Sequence, residues 1–344
     1  MRAIVTAKQG EPVHENIEFR TDWPDPPTPL RGEVVLRCEA SALNHLDLWV
    51  GRGIPGTELK YPRVAGSDAC AIVEEIGEGV HPSWKGRRVI FNAAMQKPDI
   101  ALPGVRPVQP DIEMRGEQKN GTLCERFVCP LSQVTEVGDQ MDPIEAAAFG
   151  LTFLTAWRCL VTRAQLRSGM LVLITGIGGG VATAGLKIAH HFGCQVIVTS
   201  THAEKIERAK TLGAIDGILD EGQTWCDQIR QMTNKRGVDI VLDSIGAATY
   251  LNCIRSLARG GTLVTPGCTS GANPETDLLR IFWLQLNILG STMGDAREFD
   301  EVTSLYRTGV LRPVIDSVHN AEDGVKAYER LESGQQFGKV VVRW

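Results

Sequence analysis

Residues 171–205, LVLITGIGGGVATAGLKIAHHFGCQVIVTSTHAEK, carry the most specific chemical signal in the chain. Gly176, Gly178, Gly179 and Gly180 stand between an apolar run over 171–175 and an amphipathic segment over 181–192, and a second apolar run follows over 195–200. That order reads as strand, tight turn, helix, strand, with both strands buried on two faces. Glycines let the backbone close on a ligand. A helix start adds free N–H groups and the positive end of a dipole, so this turn suits a pyrophosphate and hence a dinucleotide. The spacing is G-x-x-G-x-x-A. Gly179 is the residue that admits the phosphates, Ala182 takes the third small position, and Ile177 stands where the first fingerprint glycine belongs. Gly176 then ends the strand.

The elements that position this turn follow from the rest of the chain. With 344 residues, two domains are expected. Residues 1–150 are rich in glycine, proline and short β-type runs, at 2–6, 33–39, 69–76, 88–92 and 121–128. The segment 22–29, DWPDPPTP, reads as an extended surface loop, because prolines at that density forbid ladder pairing. A second irregular segment, 93–120, carries four prolines. From Pro143 the texture changes to alternating helices and strands. Helices are expected at 144–148 and 151–161, and six strands at 171–175, 195–200, 217–220, 238–245, 261–267 and 287–293. That is the count of a doubly wound parallel sheet. The tail returns to another style, with helices at 297–308 and 321–332, a short run at 313–316 and a last strand at 339–343. The expected division is therefore 1–150 with 294–344 as a β-rich catalytic domain, and 151–293 as an inserted cofactor domain.

Composition narrows the function classes. Hydrophobic residues make up 43% and charged residues 22%, as in a soluble globular protein. A net charge of −5 and an isoelectric point near 5.9 argue against nucleic acid or an anionic membrane as the main partner, and point to a small-molecule substrate. Residues 1–10 read as a first strand, with no apolar leader, and no apolar run approaches a membrane span. Nine cysteines are scattered without a CxxC pair, which suits reduced core residues and a cytoplasmic location.

Several further motifs stand in a fixed order: SALNHLD (41–47), YPRVAGSDACAIVEEIGEGV (61–80), GTLCERFVCP (121–130), LTAW (154–157), GVDIVLDSIG (237–246), GGTLV (260–264), LGSTMG (289–294) and FGKVVV (337–342). With the glycine turn, they make the chain resemble the medium-chain dehydrogenase/reductase superfamily, which holds both zinc alcohol dehydrogenases and zinc-free quinone reductases. The resemblance covers nearly all of the chain except 93–120. It implies a GroES-like β-rich catalytic domain, a Rossmann domain of doubly wound parallel sheet, a nicotinamide cofactor in the cleft, and a homodimer extended through the last Rossmann strand. Zinc-holding members place a Cys three residues before the Asp of the first motif, a His-Glu pair after the glycine of the second, and a Cys on the interdomain helix. Here those positions hold Asn44, Ser67 with Asp68, and Leu151, and the stretch 91–120 that matches the structural zinc lobe has no cysteine. Catalytic zinc needs three good ligands. The resemblance thus implies a chain without either metal.

Without a metal, hydrogen-bond donors must polarise the substrate. Zinc-free relatives reduce quinones or carbon–carbon double bonds conjugated to a carbonyl. By match to them, Asn44 is the first candidate donor to the developing enolate. His45 is a candidate proton relay, and Asp47 a group that orients backbone or cofactor, its alternative being a cap or turn residue. At the end of the second strand an NAD enzyme carries an acid, but this chain has Ser200, Thr201 and His202, then Lys205, a set that suits the 2′-phosphate of NADP(H). The resemblance adds Thr155 behind the nicotinamide, Gly179, Gly180 and Val181 around the pyrophosphate, and Ile245 and Gly246 at the ribose or the dinucleotide bridge. Gly267, Cys268, Ser291, Thr292 and Met293 line the nicotinamide end. Lys339 either reaches the site from the last strand or lies at the surface. The expected activity is zinc-independent, NADPH-dependent reduction of a quinone or an α,β-unsaturated carbonyl. The alternatives are an alcohol or aldehyde dehydrogenase with an atypical or absent metal, and a cofactor-binding relative without turnover.

Overall fold

The structure, a computed structural model, describes residues 1–54, 56–96, 112–222 and 224–344. The centre of the irregular segment 93–120 therefore lies outside the described residues. The chain divides into one unit of Met1–Leu151 with Gly294–Trp344 and a second of Thr152–Met293.

The first unit is built on strands β1 (Ala3–Thr6), β2 (Ile17–Arg20) and β3 (Glu33–Ala42), helix α1 (His45–Arg52), and β4 (Arg63–Val64), β5 (Asp68–Ile76) and β6 (Arg88–Phe91). There follow β7 (Ala94–Gln96), β8 (Ile112–Met114), β9 (Arg126–Pro130), β10 (Val134–Glu136) and helix α2 (Pro143–Trp157). Its main sheet runs in the order β10-β6-β5-β3, with β9 also paired to β3, and is extended beyond β3 by two strands from the tail of the chain. β3 is central: Val34, Val35, Leu36, Cys38, Ala40 and Ala42 are all buried, so nearly the whole strand belongs to the core. Within the segment 93–120, Ala94 faces Met114 in a β7–β8 pair. The strand expected at 121–128 begins only at Arg126. Before it, residues 121–123 donate instead to the carbonyls of residues 64–66, turning the chain across β4 and its exit.

The second unit holds β11 (Leu171–Ile174), α3 (Gly180–His191), β12 (Gln195–Ser200), α4 (Ala203–Thr211), β13 (Asp216–Leu219), α5 (Cys226–Met232), β14 (Val238–Leu242), α6 (Tyr250–Ser256), β15 (Leu257–Thr265), α7 (Leu278–Trp283) and β16 (Asn287–Gly290). The six strands lie in the order β13-β12-β11-β14-β15-β16, all parallel. Strand order reverses between β11 and β14, and the crevice beyond their carboxyl ends is where such sheets bind ligands. Leu173, Ile197, Val241 and Leu263 form a buried row across the sheet, with Trp225, Ile229 and Ile254 packed on it. Each such side chain contributes about 1.5–3 kcal/mol by leaving water. The chain passes from α6 directly into β15 at Leu257, four residues before the expected strand start, because this strand pairs with β14 through a register shift at its beginning.

One expectation about apolar runs changes. α2 continues into π-helical turns at Arg158–Arg163, so 143–163 is one helix long and apolar enough to cross a membrane by composition, yet 83% of that window is buried in protein. Its hydrophobicity serves the core. The tail supplies α8 (Ala296–Arg307), β17 (Ile315–Asn320), α9 (Gly324–Glu332) and β18 (Lys339–Arg343) to the first unit. β18 lies between β3 and β17, antiparallel to the first and parallel to the second.

Candidate active site

Three adjacent strands of the first unit bring the site together. In the β5-β3-β18 register, Ala42 faces Asp68 on one side and Val341 on the other. Asn44, two residues past Ala42, and Lys339, two before Val341, therefore meet Asp68 at one edge of the sheet. The Lys339 ammonium donates to Oδ1 of Asn44 and, at 2.9 Å, to Oδ2 of Asp68. Nδ2 of Asn44 donates to the same Asp68 oxygen at 2.9 Å, and the Leu151 backbone N–H donates to Oδ1 of Asp68 at 2.6 Å. The two charged side chains are 4% and 0% exposed. Breaking a pair buried to that degree costs about 3–5 kcal/mol, because the survivor is left charged without water. The approach of α2 depends on Gly150, where a Cβ would lie 2.7 Å from Oδ1 of Asp68.

This geometry corrects the expected role of Asn44 in part. An ammonium only donates, so it fixes the amide with its oxygen toward Lys339 and its nitrogen toward Asp68. One amide hydrogen is taken by Asp68. The other meets only the Ala42 carbonyl, at 3.5 Å, the outer limit of a hydrogen bond. Lys339, left open between site and surface, is buried in the site.

Asp47 and His45 sit on α1. Asp47 is fully buried. One of its oxygens accepts from the Asn44 N–H at 2.7 Å, the other from the Gly66 N–H at 2.8 Å. It thus ties the start of α1 to the loop before β5, a cap that orients backbone. Burial pushes its carboxyl up to about 6, with the two N–H bonds pulling the other way. His45 is exposed at the outer face of α1, its ring 6.4 Å from that of Trp49. Crowding by protein atoms and the Arg52 charge hold its pKa down, to about 4, so the ring is neutral near pH 7 and the proton it offers is a neutral N–H.

In the second unit, β11 ends at Ile174, and Gly176 and Gly178 adopt φ of +61° and +112°. Gly176 is thus part of the turn, beyond the strand end expected for it, and its left-handed backbone is what glycine supplies. Gly179 precedes α3, Gly180 opens it, and Ala182 is buried behind it. At Gly179 a Cβ would meet only the Gly176 carbonyl, at 3.6 Å, so the space over the turn is open, and the N–H groups of Gly180, Val181 and Ala182 precede the first intrahelical bond, from Thr183 to Gly179. The turn therefore fits a pyrophosphate. Across the switch point Ile245 and Gly246 follow β14, with Gly246 at φ +90°. Ser200 ends β12, its hydroxyl accepting the His202 N–H at 3.1 Å. Thr201 and His202 are exposed, while Lys205 is buried in the first turn of α4. Thr155 is buried on α2. Gly267, Cys268 and Ser291 are half-buried, Thr292 is exposed, and Met293 is buried.

Similar proteins agree with this architecture. Residues 30–139 match the family described as alcohol dehydrogenase GroES-like domain, and 180–308 the family described as zinc-binding dehydrogenase. A zinc-type alcohol dehydrogenase-like protein of Schizosaccharomyces pombe is 30% identical over 319 residues, covering 91% of each chain. The chain belongs to the medium-chain dehydrogenase/reductase superfamily. Within this superfamily an acryloyl-coenzyme A reductase of Metallosphaera sedula is 27% identical over 99% of each chain. The crystal structure of an NAD-dependent alcohol dehydrogenase superposes with a TM-score of 0.91, at 34% identity over the whole of both chains. These relatives support an oxidoreductase of the superfamily.

The donor set of this medium-chain dehydrogenase/reductase does not suit the zinc of its zinc-type relatives. Both oxygens of Asp68 already accept hydrogens, the Ser67 hydroxyl donates to the Arg115 carbonyl at 3.0 Å, and an ammonium stands among the donors. Among the described residues no group of three or more His, Cys, Asp or Glu is placed to hold an ion. The buried thiols of Cys124 and Cys129 are pushed up to about 12 by desolvation, and those of Cys38 and Cys70 are raised too, so none offers a thiolate. One organising residue escaped the sequence reading. Asp243, at the end of β14, is fully buried and accepts from Thr175 Oγ1 at 2.6 Å, Thr249 Oγ1 at 2.7 Å and the Gly246 N–H at 3.0 Å, fixing both loops at the switch point. The signal for it was a lone acid closing an apolar strand, VDIVLD.

Proposed function

We propose that this oxidoreductase is a zinc-independent, NADPH-dependent reductase of carbon–carbon double bonds conjugated to a carbonyl, quinones included. The observation that carries the reading is the closed set of hydrogen bonds on Asp68, in which Lys339, Asn44 and Leu151 take up the carboxylate. The bound nicotinamide supplies the hydride. The chain's own contribution is to hold a donor toward the oxygen on which negative charge develops, and the loosely held second amide hydrogen of Asn44 is that donor. His45, neutral and open to water, relays the proton that completes the product. Asp47 keeps the start of α1, and with it Asn44, in place.

Selection of NADP(H) over NAD(H) rests on the absence of an acid at Ser200, Thr201 and His202 and on Lys205 one helical turn later. A charge-assisted contact to a 2′-phosphate supports a preference of about tenfold or more in dissociation constant, measured by fluorescence titration, and equal constants would end that part of the reading. The likeness to an NAD-dependent alcohol dehydrogenase at 34% identity favours a second reading, alcohol oxidation. The deciding experiment follows NADPH oxidation against quinones, enones, enoyl thioesters and aldehydes, with metal content and chelator sensitivity in parallel. Turnover of the first three classes without bound metal supports the proposal. One zinc per chain with chelator-sensitive alcohol turnover overturns it. Asn44→Ala is expected to lower kcat about 10²–10³-fold, as loss of one transition-state donor does, with NADPH affinity unchanged within about twofold. We further read the protein as a cytoplasmic homodimer acting on a small molecule. The free state of all nine cysteines and the apolar edge of the second unit support that assembly and compartment.

A further inference from the structure

Arg115 follows β8, in the segment 93–120 that lies outside the motifs shared with the superfamily, and is 8% exposed. Its guanidinium lies over the rings of Phe91 and Phe127, with Cζ 5.7 and 5.0 Å from the two centroids. Nη1 donates to the Asn120 carbonyl at 2.9 Å and Nη2 to the Val128 carbonyl of β9 at 2.6 Å, while Nε meets no acceptor among the described residues. A slot between two phenylalanine rings would suit an apolar side chain, which fills it without desolvating a charge. Arginine adds what an apolar residue lacks, a planar fork that stacks on rings and bridges two carbonyls. We infer that Arg115 is a positioning residue for the reaction: its fork pins residues 115–123 as a strap, and the strap holds the loop 64–68 on which the placement of Asp68 and Asn44 depends. The inference rests on the reading of Asn44 as the donor.

Every residue of the loop is bonded to the strap. Asn120, whose carbonyl Arg115 holds, accepts the Val64 N–H on its side-chain oxygen at 3.1 Å. The N–H groups of Gly121, Thr122 and Leu123 donate to the carbonyls of Val64, Gly66 and Ala65 at 2.8–3.0 Å. Thr122 Oγ1 donates to the Asp68 carbonyl at 2.8 Å, and Ser67 Oγ to the carbonyl of Arg115 itself at 3.0 Å. Gly116 packs on the same loop so closely that a Cβ would lie 2.4 Å from the Gly66 carbonyl oxygen. From the loop the path is short. The Gly66 N–H donates to Asp47, and Asp47 accepts the Asn44 N–H. Without the fork the strap loses its hold at Asn120, and the shift reaches Asn44 through these bonds. A misplacement of about 1 Å in a positioned group costs up to about 10²-fold in rate.

The test uses the full chain with Arg115→Ala, Arg115→Lys and Gly116→Ala. Lysine keeps the charge and the stem but is a point donor without the fork. Gly116→Ala disturbs the same strap with Arg115 intact. Hydrogen exchange is read at the Gly66, Thr122 and Leu123 amides, with the amides of β17 and β18 as reference. All three variants are expected to speed exchange in the strap and loop about tenfold or more relative to the reference, as loss of bonds from a charged donor does. With 2-cyclohexenone or menadione as oxidant, kcat should fall about tenfold or more while KM for NADPH stays within about twofold. The inference is overturned if Arg115→Lys exchanges and turns over as wild type does, or if exchange rises equally in β17 and β18, which would make Arg115 general packing. It is also overturned if the loop loosens with kcat unchanged, or if Gly116→Ala keeps its kcat. Should Arg115→Ala fail to fold, Arg115→Lys decides, and failure of both ends the inference. Failure of the functional reading is seen separately, in wild type, as absence of turnover with both oxidants or as stoichiometric zinc. The exchange measurements need no substrate.

Discussion

Asp47 shows what a single buried acid does to stability. Its carboxyl is pushed from an ordinary 3.8 to about 6, chiefly by burial. The folded protein therefore holds this proton more tightly than the unfolded chain does. Its contribution is fully present below about pH 4 and is lost as pH rises through 6, at up to about 1.4 kcal/mol per pH unit and about 3 kcal/mol in all. Asp316 beside Arg330 and Glu332 beside His14 are held low and act in the opposite sense, their contribution being fully present above the ordinary carboxylate range and lost as pH falls below it. Asp47→Asn separates the two. The variant should lose one N–H acceptor at every pH but lack the falling limb, so its stability relative to wild type improves between about pH 4 and 7. Urea melts across that range check it, and a pH-independent offset would sink the idea. At this scale the sequence shows residue types well and their partners poorly. Asn44 and Asp47 stood out in SALNHLD, but nothing local says that the first is turned by Lys339, 295 residues away.

Elements were legible where the signal was local and periodic. The glycine turn between two apolar runs fixes β11, α3 and β12 almost to the residue, since strand, turn and helix patterns change within a few positions. Boundaries set by tertiary pairing were not. The start of β15 depends on its ladder with β14, and the continuation of α2 through Gly150 depends on what lies behind the helix. Gly150 makes a prediction of unusual sign. By intrinsic preference, Ala in a helix interior is better than Gly by about 1 kcal/mol. Here the added methyl would sit 2.7 Å from Oδ1 of Asp68 and 3.1 Å from the Phe91 carbonyl. Gly150→Ala should therefore destabilise by about 1–3 kcal/mol and lengthen the Leu151–Asp68 bond. Chemical denaturation measures the first effect, and hydrogen exchange at the Leu151 amide the second. A stabilised variant would mean that α2 moves away freely.

At the scale of the molecule, the second unit carries exposed apolar residues at one edge of its sheet. β16 is an edge strand, and beside it Leu278, Leu279, Phe282 and Trp283 are 64–70% exposed. An apolar edge of this kind invites pairing with a second copy. Leu279→Glu with Phe282→Glu should shift the protein from dimer to monomer in sedimentation while leaving its circular dichroism unchanged, and a wild type already monomeric at micromolar concentration would refute the assembly. The strand count of this unit was readable from apolar runs alone. What no sequence pattern shows is which distant segments complete the first unit, because β18 finds its place beside β3 only through register. That separation has a consequence for biosynthesis. Asp68 and Lys339 are 271 residues apart, with the whole of the second unit between them. At about 5–20 residues per second, the acid waits about 15–50 s on the ribosome before its counter-ion is made. The nucleotide-binding unit can close during that interval, so nascent chains should bind cofactor before they can possess a finished reaction site.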